Sequence, residues 1–239
     1  MTELLYQTDS YIAEFEAVVT AVDAESRGVI LDRTAFYPGG GGQPADRGLL
    51  VIDGVQYRVA QARKAGPDVL HIVEGETLPP VGAAAVGRLD WEHRYQLMRT
   101  HTAMHILCGV VWRDYGALVT GGSMEPLQGR MDFEFETMRQ ELVREIEERI
   151  NAEVANAREV RVAILPREVA FQIPDLIRTK INLLPEGITE VRTVEIVGLD
   201  LQADGGTHVR STAEVGRLRI TDYKSKGKIN KRIYVEVET

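Results

Sequence analysis

The sequence predicts an α+β protein, in which a small N-terminal β-barrel precedes an α+β domain with long helices packed on an antiparallel sheet. Three observations carry this reading. Short β-rich runs separated by Asp and Gly fill residues 11–90. One unbroken helical pattern of about 25 residues then begins at Trp91, with Asp90 placed to cap it and Gly116 placed to stop it. Strand-like runs return after residue 160 and end in a hairpin pattern.

In the first part, residues 12–19 and 28–32 have β-rich composition around a turn-compatible Asp and Gly. Residues 49–52, 55–59 and 69–73 continue the pattern. Several short strands with close turn signals suggest a small barrel. The proline-rich stretch after Leu78 and the segment 87–90 place a domain boundary near residue 90, giving a barrel domain 1–90 and a second domain 91–239. In the second domain, Leu97, His101, His105, Cys108 and Trp112 recur at helical spacing. Residues 137–157 read as another helix, with Met138, Leu142, Ile146 and Ile150 between Glu-rich polar positions. Strands are expected at 160–165 and 190–197, and a hairpin from 217–223 and 232–237.

Composition sets limits on function. A chain with 44% hydrophobic and 27% charged residues has the profile of a soluble globular protein, and no apolar run approaches the roughly 18 residues of a membrane span. The N-terminus carries acids where a signal peptide would carry bases, so a cytoplasmic location is the expectation. Cys108 is the only cysteine, which excludes intramolecular disulfides and cysteine-built zinc fingers. The net charge of −8 disfavours general nucleic-acid binding. Against that background Lys224, Lys226, Lys228, Lys231 and Arg232 form an acid-free basic cluster. It reads either as a solvated hairpin tip or as a phosphate contact.

Three segments could carry chemistry. His101 and His105 lie four apart, which on a helix puts both rings on one face, within reach of one metal ion. The same spacing also suits ordinary packing histidines. No Glu follows His101, so the His-Glu-x-x-His protease mechanism lacks its general base. The second segment is Asp204-Gly205-Gly206-Thr207-His208. Its two glycines permit a tight turn and close ligand approach, and Asp204 and His208 could add an oxygen and a nitrogen to the ligand set. Alone, it is equally a surface turn. The third segment, Phe36 to Gly48, holds four consecutive glycines but lacks the Gly-Lys-Ser/Thr ending of a phosphate loop. It reads as a ligand-approach loop through Gly41, Gly42 and Gln43, or as a connection between strands.

Together these segments resemble a known family. His101-Thr-Ala-Met-His105, Gly121-Gly-Ser-Met, Arg130-Met-Asp-Phe-Glu-Phe and Asp204-Gly-Gly-Thr-His208-Val are similar, in order and spacing, to the editing domain of alanyl-tRNA synthetase. The glycine-rich segment is similar to a motif in the β-barrel that precedes that domain. With no room for an aminoacylation domain, the chain resembles the free-standing alanyl-tRNA editing proteins, the AlaX family, of the medium-length type. The resemblance covers nearly the whole chain.

The resemblance implies a metal-dependent hydrolase that removes the wrong amino acid, serine and secondarily glycine, from alanine tRNA. It implies one zinc ion per chain, held by His101, His105 and His208, the residues expected to carry catalysis. Asp204 stands where the family commonly has Cys. It either serves as a hard anionic ligand or points away, leaving three histidines and water. The resemblance also places a discriminating polar side chain at Thr120, before an expected Gly-Gly-Ser turn. The glycines at 41, 42, 205 and 206, with Gln43, are expected to border the substrate. Arg210 and the basic cluster are expected to touch tRNA phosphate. The Asp204 departure keeps a second reading open, an inactive tRNA-binding relative with a weakened metal site. A third is a metal hydrolase of small esters with no tRNA partner.

Overall fold

Alternation of apolar and polar residues turns one face of each N-terminal strand inward, and closure of the sheet hides that face. In this computed structural model, residues 1–177 and 187–238 are described. The chain divides into two units, Met1–Tyr95 and Gln96–Thr239.

In the first unit the strands are β1 (Glu3–Leu4), β2 (Glu14–Asp23), β3 (Gly28–Leu31), β4 (Arg33–Thr34), β5 (Gly48–Ile52), β6 (Val55–Ala65), β7 (Asp68–Val73) and β8 (Ala84–Leu89). Six of them close into a barrel in the order β2-β3-β7-β6-β5-β8, while β1 pairs with β4 in parallel. Phe15, Val19, Val29, Leu31, Leu50, Ile52, Val59 and Val73 belong to its core. Closure removes the exposed edges that an open sheet would leave. The closing strand β8 pairs with both β2 and β5. Its Ala-rich sequence had read as part of the boundary segment. Alanine is a weak strand former, and cross-strand context decides here. β6 is also longer than expected, because a register shift at Val59/Gln61 lets the strand bend and continue.

The second unit contains most of α1 (Trp91–Tyr115), then β9 (Val119–Glu125), β10 (Gln128–Glu134), α2 (Gln140–Ala155), β11 (Val160–Pro166), the single turn α3 (Arg167–Ala170), β12 (Glu190–Ile196), β13 (Asp200–Ala203), β14 (Leu218–Ser225) and β15 (Asn230–Val237). Two antiparallel sheets result, ordered β14-β15-β10-β9 and β11-β12-β13. The α1 helix begins where expected, with Asp90 Oδ1 accepting the His93 N–H at 3.2 Å.

Two details differ from the sequence reading. Gly121, Gly122 and Ser123 do not form a turn. They are strand residues of β9, with Gly121 opposite Asp132 and Gly122 opposite Met131. Pairing with β10 satisfies the backbone groups on one side of this edge strand, and it overrides the turn preference of glycine. On α2 the buried residues are Val143, Ile146, Ile150 and Glu153, while Leu142 is only half-buried. The buried face is thus rotated by about one residue. Glu153 can be buried because Arg113 and Arg158 pair with it, each at 2.5 Å. Burial would raise its pKa, but these partners hold it at about 2.

Candidate metal centre

The site begins with α1. Its inward face is held in register by bonds at several heights within the second unit. Arg99 donates to the carbonyls of Val215 and Glu238 at 2.9 and 2.8 Å, and the Thr100 hydroxyl accepts the Leu127 N–H at 2.8 Å. The rings of His101 and His105, four residues apart, stand 5.1 Å apart and are buried at 4% and 6% exposure.

The other side of the site is the chain from β13 to His208. Along β13 and just beyond it, Asp200, Gln202 and Asp204 alternate at strand period. All three meet α1. The Asp200 Oδ2 accepts the Nδ1–H of His105 at 3.0 Å, Gln202 Nε2 donates to Cys108 Sγ at 3.3 Å, and Asp204 Oδ1 lies 3.5 Å from His101 Nε2. A strand period of two thus meets a helix spacing of three and four.

After Asp204 the turn folds back through Gly205 and Gly206. Asp204 Oδ2 accepts the Gly206 N–H at 2.8 Å and stands 3.0 Å from His208 Nε2. The other nitrogen of His208 faces Thr102 Oγ1 at 3.1 Å, and the same oxygen accepts the Val209 N–H at 3.3 Å. The ring of His208 stacks on that of His101 with centroids 4.2 Å apart. Arg192, buried on β12, donates to the Asp204 carbonyl at 2.9 Å. The segment following His208 is fixed by a capping box between Ser211 and Glu214. Thr212 anchors it further, its hydroxyl donating to Glu153 O at 2.8 Å.

His101, His105, Asp204 and His208 therefore offer one ligand atom each, all within 4.8 Å of one another. Ligand atoms about 2.1 Å from a tetrahedral ion stand about 3.4 Å apart; Asp204 faces His101 through Oδ1 at 3.5 Å and His208 through Oδ2 at 3.0 Å. Protonation also suits a cation. Burial lowers His101 to about 4. Burial, then repulsion from His101, lowers His208 well below its ordinary value. Asp204 is raised by burial, but the neighbouring His101 and His208 outweigh that and hold it well below the usual carboxylate range. Burial likewise opposes protonation of His105, yet the hydrogen bond and charge of Asp200 leave its pKa raised. Neutral imidazoles beside an ionised carboxylate are the forms that bind a divalent ion; His101, His208 and Asp204 are held in those forms, whereas His105 must give up a proton as the ion binds. The donor set fits zinc, or less selectively another first-row divalent ion.

The other expected site residues fall in several places. Gly205 is exposed and Gly206 buried, on the ligand turn itself. Thr120 lies in β9, exposed, its hydroxyl donating to Asn230 Oδ1 at 3.0 Å. Gly41, Gly42 and Gln43 lie in the first unit, where Gly39, Gly40, Gly41 and Gly42 all adopt positive φ that other residues avoid. That loop is shaped by the Tyr37 hydroxyl donating to Gly40 O at 2.9 Å, and by Asp46, which accepts the Tyr37 N–H at 2.6 Å and pairs with the fully buried Arg94. Arg210 is exposed in the loop after His208.

The basic cluster spans the β14–β15 hairpin. Lys226 and Lys228 are exposed at its tip, and Lys224 pairs with Asp222 at 2.9 Å. Lys231 is buried, donating to the carbonyls of Gly227 and Lys228, and Arg232 forms a two-pronged pair with Asp132. Sequence reasoning missed Asp200, Thr102 and Arg192, which contact the candidate ligands His105, His208 and Asp204. Cys108 lies outside the ligand group and is buried in packing.

Comparison with known proteins shows the family of the chain. Residues 3–93 match the family described as tRNA synthetases class II (A), and residues 191–234 match the threonyl and alanyl tRNA synthetase second additional domain. The chain is 40% identical to an alanyl-tRNA editing protein AlaX-M of Saccharolobus solfataricus, covering 100% of both chains. It is 40% identical to an AlaX-M of Methanosarcina mazei, over 98% of this chain and 96% of that one. An alanine–tRNA ligase of Ignicoccus hospitalis is 38% identical over 92% of this chain, which spans 24% of that enzyme.

Proposed function

The chain belongs to the family of AlaX-M alanyl-tRNA editing proteins, and on that premise we propose that it is a trans-editing deacylase, which hydrolyses the ester between a wrong amino acid and alanine tRNA at a zinc site. Serine is the amino acid proposed for removal, with glycine as a further candidate. The observation that carries the reading is the convergence of His101, His105, Asp204 and His208 on one point. Residues 91–239 act as the catalytic domain and residues 1–90 as the barrel that carries the glycine-rich loop.

The need for such an activity follows from size. An aminoacylation pocket shaped for alanine loses only about 1–3 kcal/mol of discrimination for one methyl group, and rejects an added hydroxyl roughly a hundredfold. A second site that destroys the wrong ester corrects the error. To spare alanine it must offer the serine hydroxyl a polar partner that remains unsatisfied when alanine enters. Thr120 is assigned that part; it is exposed in the free protein, so the bound substrate must exclude water from it for a missing hydroxyl to be costly. Its proton is already given to Asn230, so its oxygen is left as an acceptor for a donated substrate hydroxyl.

When bound, the ion supplies Lewis-acid polarisation of the ester and of water. The three imidazoles and the Asp204 carboxylate hold it. The Gly205–Gly206 turn leaves room for backbone approach. Gly41, Gly42 and Gln43 border the aminoacyl end, and Arg210, Lys226 and Lys228 meet tRNA phosphate. Lys224, Lys231 and Arg232 support that hairpin through the pairs described above. Zinc analysis of protein purified without chelator tests the centre: about one equivalent is expected, and unchanged content in a His101→Ala, His208→Ala double variant would refute the ligand assignment.

A further inference from the structure

We infer that Asp200 is a positioning residue of the metal centre, fixing His105 with Nδ1–H turned to the carboxylate and Nε2 free for the ion, and that it thereby sets metal affinity. The inference rests on the metal-binding reading above.

Asp200 is 3% exposed. A carboxylate is buried only at considerable cost unless hydrogen bonds repay it. Its Oδ2 accepts from His105 Nδ1 at 3.0 Å and from Gln202 Nε2 at 2.7 Å. Gln202 is itself fixed, because its Nε2 also donates to Cys108 Sγ. An oxygen that already accepts one N–H and carries negative charge repels a bare nitrogen. The tautomer with hydrogen on Nδ1 is therefore imposed on neutral His105, and its remaining lone pair is on Nε2.

The backbone is shaped for this contact. Gly109 lies on α1, one turn after His105, where an added Cβ would come within 2.8 Å of Leu199 Cγ and 3.0 Å of Asp200 Cβ. The missing side chain leaves the notch that lets the β12–β13 turn press against the helix. His208 has a different support, the hydroxyl of Thr102. The groups at Nδ1 of His105 and of His208 are therefore chemically unequal, a carboxylate behind one and a hydroxyl behind the other.

The test measures zinc and cobalt affinity by competition with a chromophoric chelator, for the full chain and for D200A and D200N. The side-chain 15N spectrum of His105 is recorded in the metal-free proteins at a pH alkaline enough for the ring to be neutral, since Asp200 raises its pKa. Loss of an outer-shell partner weakens metal binding by about 10–100-fold, and that loss is expected for D200A. D200N keeps an acceptor oxygen and should recover part of it. The parent should show the Nδ1–H tautomer, and D200A a mixture. A folded D200A that binds zinc within about twofold of the parent overturns the inference while leaving the metal centre standing. Should D200A not fold, D200N decides: parent affinity together with a cobalt spectrum identical to the parent's overturns it. A parent chain that binds no divalent ion overturns the metal centre itself, and this inference with it.

Discussion

Asp204 Oδ2 stands 3.0 Å from His208 Nε2, four residues along a turn whose Gly206 N–H bonds the same oxygen. The carboxylate points inward, among the imidazoles, and does not turn away to solvent. Asp204→Asn keeps the shape and removes the charge, so zinc affinity should fall by about tenfold or more. Asp204→Cys supplies a softer thiolate and should raise preference for zinc over manganese. Competition titrations with both ions check this, and equal affinities for parent and Asn variant would remove Asp204 from the ligand set.

Thr120 and Asn230 give a second prediction. If the Thr120 oxygen accepts the substrate hydroxyl, Thr120→Val should lower the preference for serine over alanine esters by about 1–3 kcal/mol, roughly tenfold or more in relative kcat/KM. Rates on both charged tRNAs measure it. An unchanged ratio would leave Thr120 as a strand residue bonded to its neighbour.

The tip of the β14–β15 hairpin predicts a salt effect. Reversing Lys226 and Lys228 to Glu should weaken tRNA binding and flatten its dependence on salt, since each lost phosphate contact removes released counterions. Hydrolysis of a minimal ester substrate without the tRNA body should hardly change. Should affinity and salt slope both stay at parent values, the docking surface lies elsewhere, with Arg210 and Arg217 next to be tested.

His71 makes the barrel sensitive to acid. It is fully buried between Val29 O and Thr34 Oγ1, at 2.9 and 2.8 Å, and burial lowers its pKa from 6.5 to about 4. Between those values the unfolded chain binds the extra proton and the folded chain does not. Stability is therefore complete above 6.5 and declines as pH falls toward 4, by up to about 3 kcal/mol. Urea unfolding at pH 7 and pH 5 should show a smaller loss for His71→Gln than for the parent. Equal losses would mean that His71 does not couple the barrel to pH.

The sequence made the barrel, α1 and the histidine spacing legible, because hydrophobic period and ligand spacing are local properties. Strand β8 was not legible, since an Ala-rich segment becomes a strand only when β2 and β5 flank it. Gly121 to Ser123 read as a turn for a similar reason: glycine preference is local, whereas the β10 ladder that overrides it is not. At the site, the candidate ligands could be named from motif resemblance. Asp200, Gln202 and Asp204 do alternate in the sequence, and that pattern was the available signal for Asp200. It acquires meaning only once β13 is laid along α1. The fate of Arg232 depended likewise on a distant partner, Asp132, whereas Lys231 turns back onto the carbonyls of its own hairpin turn.

The central claim, ester hydrolysis at a metal held by three histidines and an aspartate, is tested most directly by one deacylation assay. Alanine tRNA charged with serine, and separately with alanine, is given to the purified protein before metal stripping, after stripping, and after zinc is restored. The account predicts faster release of serine than of alanine, loss of that release on stripping, and recovery with about one equivalent of zinc. Metal-loaded protein that binds the charged tRNA and leaves both esters intact would contradict it, and would identify the chain as a tRNA-binding relative without catalysis.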